Sequence, residues 1–103
     1  MIPVNAGKEF RKGFLTLFET FKSTVLIHQN YKCNNAEIIE VQGMKNADKK
    51  DSSKIMFQFP EKFEVNKGDV IQQKGSTVIW KIYEIEDRVV NDAFICFVLH
   101  VKK

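Results

Sequence analysis

The sequence predicts a mainly β, α+β fold, with an N-terminal amphipathic helix packed on a five- or six-stranded antiparallel small barrel or sandwich. Apolar residues near the N-terminus recur with helical spacing, and β-branched and aromatic runs separated by turn residues follow. The closing run is apolar on both faces. With 103 residues and 44% hydrophobic content the chain can bury one core, so a single domain over residues 1–103 is expected.

The helix is expected over residues 6–22. Counted from the first of them, its large apolar side chains recur at steps of four, five, seven, eight and eleven, which places them on one face of a 3.6-residue helix. They are Phe10, Phe14, Leu15, Leu17, Phe18 and Phe21. Asn5 is expected to cap the helix by accepting hydrogen bonds from its first backbone N–H groups.

An antiparallel β region is expected over residues 23–102. Its strands are predicted from runs rich in β-branched and aromatic residues: 23–29, 36–44, 54–59, 69–73, 77–88 and 93–101. The first two should pair as a hairpin and the last three as a meander. KNADKKDSS, residues 45–53, has no large apolar side chain and is predicted to be a mobile loop.

The last two predicted strands show the clearest distribution of apolar residues between strand faces. Strict alternation along 77–88 places Trp80 and Ile82 on one face and Tyr83 and Ile85 on the other. The final strand is apolar on both faces, which would be an aggregation hazard at an open edge. It should therefore be central or covered by the helix.

Charge and cysteine content restrict the functional class. The net charge is +3, and nearly all positive residues are lysines, with Arg11 and Arg88 as the two arginines. Sequence-reading nucleic-acid sites favour arginine forks, so this composition argues against one. Cys33 and Cys96 lie in a chain whose residues 1–13 show no signal-peptide pattern, and no apolar run has membrane-spanning length. A reduced, cytoplasmic protein without membrane contact is expected.

A zinc site is the first chemical hypothesis, from His28, Cys33, Cys96 and His100. Cys96 and His100 are four residues apart on one predicted strand, about 13 Å at ~3.3 Å per residue, which is too far for one tetrahedral ion. No metal site or cofactor is therefore expected. Cys96 is interpreted as a small buried hydrophobe and His100 as a surface residue.

Acid–base catalysis is the second chemical hypothesis, from Glu84, Glu86 and Asp87. Solvated carboxylates near a turn, which also discourage edge pairing, explain these residues equally well. The sequence has no nucleophile elbow and no phosphate-cradling glycine loop. No enzymatic activity is predicted.

Binding is the remaining possibility. Phe57, Phe59, Phe63, Phe94 and Phe97 lie in apolar surroundings typical of a core. The candidate interaction residues are Lys45, Lys49, Lys50 and Trp80, whose charges suit phosphates or an acidic partner.

The order of elements resembles the small head-to-tail joining (connector) proteins of tailed phages and prophages. In that family a hydrophobic strand, a Gly-Asp turn, a short strand, a glycine turn and an aromatic-x-aliphatic strand follow one another. The matching stretches are IMFQF, Lys67-Gly68-Asp69, Val70-Ile71, Lys74-Gly75 and Trp80-Lys81-Ile82. The resemblance implies a barrel-like protomer that assembles without catalysis into a ring between portal and tail, located in the host cytoplasm or the virion.

The leading interpretation is therefore a non-enzymatic assembly or interaction protein, in the form of a phage or prophage head-to-tail joining protein, with protein partners or self-assembly. The alternative is a small β-barrel module that binds nucleic acid or an acidic protein partner.

Overall fold

The structure, a computed structural model, describes residues 6–30, 36–47 and 54–103. These residues form one helix and six strands: α1 (Ala6–Phe21), β1 (Ser23–Gln29), β2 (Glu37–Ala47), β3 (Ile55–Phe59), β4 (Val70–Gln73), β5 (Trp80–Val90) and β6 (Ala93–Lys102). The strands pair in the order β1-β2-β3-β6-β5-β4 and close into a barrel with antiparallel ladders throughout. The predicted fold class is confirmed, and the sheet is a barrel.

The first hairpin is confirmed, but β2 is longer than predicted. β1 covers the predicted residues and pairs with β2 over its whole length. Residues 45–47, predicted to begin a mobile loop, continue β2 because Met44–Ala47 pair with Ile55–Gln58 of β3. Cross-strand hydrogen bonding decides their conformation although they contribute no large apolar side chain. Residues 48–53 of the predicted loop and the predicted cap Asn5 lie outside the described residues.

The β5 strand departs most from its prediction. It begins at Trp80 instead of Thr77, and its pairing with β6 passes from Ile82↔Val101 to Glu84↔His100, which leaves Tyr83 as an extra residue. This β-bulge reverses the alternation, because one inserted residue moves the following side chains to the other face. The predicted shared face of Tyr83 and Ile85 is therefore wrong: Ile85 packs against the barrel core and Tyr83 is exposed.

The barrel interior forms the main core. Its buried side chains are Val25, Ile27, Phe57, Phe59, Ile71, Trp80, Ile82, Phe97, Leu99 and Val101. Phe63, which follows β3, meets Phe59 and Phe97 edge to face at ring-centroid distances of 4.9 and 5.2 Å. The predicted core role of the phenylalanines is confirmed, with Phe63 and Phe94 partly buried at its border.

The β6 strand is buried on both sides. Phe97, Leu99 and Val101 point into the barrel, whereas Cys96 and Val98 lie under α1. The second cluster, between helix and barrel, consists of Phe14, Phe18, Met44, Ile95, Cys96 and Val98. The prediction that the closing strand needs a cover is thus confirmed, and α1 is that cover.

Two contacts fix α1 on the barrel. The Arg11 guanidinium donates hydrogen bonds of 2.7 Å to the carbonyl oxygens of Pro60 and Ile95. Gly7 lies so close to the β5–β6 hairpin that a Cβ there would stand 2.3 Å from the Val90 carbonyl oxygen and 2.5 Å from the Ala93 Cβ. The helix ends at Phe21, one residue before its predicted end, although the Lys22 N–H still donates to the Phe18 carbonyl at 2.8 Å.

The tight turns beside β4 and between β5 and β6 have positive backbone φ angles. Asn91 and Asp92, between β5 and β6, have φ of 50° and 63°, as a two-residue hairpin turn of matching twist requires. Gly68 and Gly75, on either side of β4, have φ of 95° and 86°, a region that favours glycine.

Glycine substitutions in α1 test the close approach of the helix. We expect Gly7→Ala to lower the free energy of unfolding by about 1–3 kcal/mol, because the new methyl group overlaps Val90 and Ala93. Gly13→Ala is the matched control. A Cβ added at Gly13 would meet no side chain or strand within 4 Å, so the better helix former should stabilise by about 0.5–1 kcal/mol. Urea denaturation measures both, and shifts in the same direction would contradict the packing.

Candidate functional site

Two of the four predicted interaction residues lie together at one end of the barrel. Trp80 closes the core there and is 6% exposed, so its ring is covered by other side chains. The Lys45 and Lys103 ammonium groups stand 5.9 and 5.5 Å from the ring centroid, within the range of cation–π attraction. Lys49 and Lys50 lie outside the described residues. Sequence reasoning missed Lys103, because its position over Trp80 depends on the register of β6.

Three more lysines lie close to Lys45, Lys103 and Trp80. Lys81 and Lys102 are direct partners across β5 and β6, and Lys54 immediately precedes Ile55, the partner of Val101. We call the five exposed lysines at this end of the barrel the lysine end: Lys45, Lys54, Lys81, Lys102 and Lys103. Among the described residues, none of them forms an ion pair with a carboxylate.

A second surface lies along α1. The helix buries Phe14 and Phe18, but Phe10, Leu17 and Phe21 are 58%, 53% and 63% exposed. The prediction that the whole apolar face of the helix packs on the sheet is therefore wrong. Only part of that face is buried, because the apolar arc of the helix is wider than its contact with the barrel. We call these three exposed residues the helix flank.

The helix flank borders a groove between α1 and the barrel. Two adjoining depressions, of about 490 and 400 Å³, share Leu17, Met44 and Asn46 in their walls. One extends toward Phe21 and the other toward Phe10. The groove thus follows the flank along most of the helix and combines apolar walls with a polar floor.

The floor of the groove is a short hydrogen-bonded chain. The Asn46 side-chain amide donates to Gln58 Oε1 at 2.7 Å, and Gln58 Nε2 donates to Cys96 Sγ at 3.9 Å. Burial raises the pKa of the Cys96 thiol, which is 1% exposed. The thiol stays protonated at neutral pH, so Cys96 packs as the predicted small hydrophobe and does not offer a thiolate nucleophile.

The carboxylates of β5 are held by different partners. Glu86 accepts hydrogen bonds from Arg88 Nε at 3.1 Å and lies 2.7 Å from His100 Nε2, whereas Asp87 pairs with Lys62 at 2.6 Å. His100, predicted to be a surface residue, has a side chain that is only 19% exposed. The hydrogen bond from Arg88 is the main reason why the pKa of Glu86 is lowered, with His100 adding to it and burial opposing it.

The zinc hypothesis gains no support from the described residues. Among them, no three His, Cys, Asp or Glu side chains come together as a metal-binding group. Cys33 lies outside the described residues. In the same part of the chain, no helix combines the length and the apolar character needed to span a membrane.

The Glu86 network predicts a pH-dependent contribution to stability. A carboxyl group whose folded pKa is lowered stabilises the fold above its unfolded pKa, about 4.3, and this contribution is lost as the pH falls through the folded pKa. Because Glu86 is partly exposed, we expect Glu86→Gln to cost only about 0.5 kcal/mol at pH 7 and less at pH 3, since the contribution declines as the pH falls toward the lowered pKa. Urea denaturation at both pH values measures this. Glu84→Gln is the control, and an equal loss at both pH values would contradict the assignment.

No family model, no curated protein sequence and no solved structure matches this chain. Inference about its function therefore depends on its own surfaces. These are the apolar helix flank with its groove and the lysine end of the barrel, which adjoin at Lys45 in the wall of the groove.

Proposed function

We propose that this protein is a non-enzymatic assembly protein that joins copies of itself through the helix flank, in the manner of the head-to-tail joining proteins of tailed phages and prophages. The observation that carries the proposal is the second apolar strip on α1, which remains exposed after the helix has packed on the barrel. Exposed apolar patches next to a groove are typical of protein interaction sites.

The helix flank forms a straight strip. Leu17 and Phe21 follow Phe10 by seven and eleven residues, so all three side chains lie within about 20° of one line along the helix at 100° per residue. The strip extends for about 17 Å at 1.5 Å per residue. This length suits a helix or strand of another subunit laid along α1.

Burial of the strip would contribute substantially to binding. Each of the three side chains keeps more than half of its surface exposed. Covering the remainder contributes about 2–3 kcal/mol per residue, at ~25 cal/mol per Å² for large apolar side chains. Three such residues around a groove provide the apolar centre that an interface of about 800 Å² per partner requires.

The closed barrel restricts how copies can join. Within the described part of the chain, the six strands close into a barrel, so no strand stands at an end of the strand order. Contacts between side chains, such as those of the helix flank, are the route to assembly that we propose. The flank residues line the groove, so the contact is heterologous when another part of a neighbouring copy lies along the flank, and such a contact gives a ring where the rotation between copies closes.

The resemblance to the joining proteins adds the biological context. The Gly-Asp turn before β4 is held by two backbone bonds, from the Gly68 N–H to the Ile82 carbonyl at 2.8 Å and from the Ile82 N–H to the Asp69 carbonyl at 2.9 Å. The Gly-Asp turn, β4 and the start of β5 are thus connected, whereas IMFQF, in β3, lies between β2 and β6. This arrangement is compatible with a ring-forming protomer.

A pair of leucine substitutions in α1 tests the assembly. We expect the protein to self-associate with increasing concentration, and Leu17→Glu to weaken this association more than tenfold, because it places a charge in the apolar contact. Leu15→Glu is the matched control, since Leu15 is 37% exposed on another side of α1 and should leave association unchanged. Sedimentation velocity over a wide concentration range measures all three proteins.

The same samples distinguish the outcomes. Electron micrographs of the wild-type assembly should show closed rings. A wild-type protein that stays monomeric at every concentration, or an equal effect of both substitutions, would contradict assembly through the helix flank.

A further inference from the structure

We infer that the lysine end is a binding site for single-stranded nucleic acid, which it holds through the phosphate backbone, with Tyr83 as a stacking surface for a base. This inference is independent of the assembly proposed above, because the residues that test it, Lys54, Lys81, Lys102 and Tyr83, line no part of the groove along α1. It rests on the arrangement of the lysines, on the position of Tyr83 and on the nearby charges.

Three of the lysines form a row across neighbouring strands. Lys81 and Lys102 face each other across β5 and β6, and Lys54 lies beside Lys102 because the next residue, Ile55, pairs with Val101. Ile55, Ile82 and Val101 pack in the barrel core, so the alternation of side chains directs the row to the outer face. With strands about 4.8 Å apart, the row spans roughly 10 Å, so it presents three charges to the phosphate backbone of a strand laid across it.

No lysine of the row forms an ion pair with a carboxylate of the described residues. Elsewhere on the surface, Lys22, Lys62 and Lys74 are paired with Glu19, Asp87 and Glu40. Like charges placed directly opposite each other, as Lys81 and Lys102 are, destabilise a sheet. A bound polyanion would relieve this repulsion.

The acidic groups nearest the row leave it positive. Glu86 is engaged by Arg88 and His100, and Glu84 shares a depression of about 250 Å³ with Lys54. Residues 48–53, outside the described residues, carry two lysines and two aspartates and add no net charge.

Tyr83 provides an aromatic ring at the row. Alternation from the buried Ile82 points this residue outward, where it is 38% exposed, and the β-bulge leaves it without a partner residue on β6. The Lys102 ammonium lies 5.6 Å from the ring centroid, and the His100 ring centroid lies 6.3 Å from it. An exposed ring beside lysines is the arrangement with which single-strand-binding proteins stack a base while holding its phosphates. Trp80 cannot do this, since its ring is covered.

The residue types favour nucleic acid over an acidic protein. Lysine is depleted in protein–protein interfaces, whose centres are apolar, and the row has no apolar centre. Lysine is a common phosphate ligand that acts as a point charge. The two arginines of the chain are engaged elsewhere, Arg11 with Pro60 and Ile95 and Arg88 with Glu86. Binding should therefore be independent of base sequence.

Fluorescence anisotropy with a labelled oligothymidylate tests the site. We expect affinity to fall between about 50 and 200 mM salt, with a slope of log K against log salt of roughly −2 for three phosphate contacts. The triple variant Lys54→Gln, Lys81→Gln, Lys102→Gln should lose at least tenfold in affinity at low salt and most of this slope. The control is a second triple variant that also removes three positive charges but leaves the row intact: Lys8→Gln, Lys12→Gln, Lys67→Gln. It should bind like the wild type.

Substitutions of Tyr83 test the stacking. Tyr83→Ala should weaken oligothymidylate binding about tenfold with little change in the salt slope, whereas Tyr83→Phe keeps the ring and should bind like the wild type. A duplex of the same length should bind more weakly than the single strand, and its affinity should be insensitive to Tyr83→Ala.

Four results would overturn the inference. They are no binding at low salt, an equal loss in the two triple variants, a duplex bound as tightly as the single strand with no effect of Tyr83→Ala, and binding of polyglutamate in the absence of DNA binding. The last of these would assign the lysine end to an acidic protein partner.

Discussion

The double burial of β6 is the constraint on which the rest of the structure depends. One side of this strand fills the barrel, and the other side would expose Cys96 and Val98 if nothing lay over it. Helix α1 provides this cover with Phe14 and Phe18, and Arg11 ties it to backbone carbonyls on either side of the contact. Because the cover fixes the rotation of α1 about its axis, it also determines which apolar side chains stay exposed. The candidate assembly surface is thus a consequence of how β6 is buried.

Local patterns in the sequence were sufficient for much of the fold. The β-branched run of β1 predicted its bounds, and the two apolar faces of the closing strand predicted that it would be central or covered by the helix. Both are properties of a single segment. The length of β2 was wrong because residues 45–47 owe their conformation to pairing with β3, which their own side chains do not indicate.

The candidate site was less predictable because it depends on register. Lys45 and Trp80 were identified, but Lys54, Lys81, Lys102 and Lys103 join them only through the pairing of strands that are distant in sequence. Alternation placed Tyr83 on the face opposite Trp80 and Ile82, as observed, but the bulge at Tyr83 moves Ile85 into the core, and a single-sequence alternation pattern cannot locate one inserted residue. On the helix, periodicity identified the apolar residues correctly. The number of these apolar residues that the barrel covers depends on the width of the contact between helix and barrel. Helical periodicity gives no information about that width.

The hydrogen bonds of Arg11 join α1 to residues 49 and 84 positions further along the chain. During translation the helix leaves the ribosome well before β6, the strand on which it docks, has been made. The phenylalanines of α1 consequently face water or a chaperone until the last strand emerges, and a contact so distant in sequence forms slowly. Biosynthesis therefore has a vulnerable interval, in which aggregation through α1 competes with closure of the barrel.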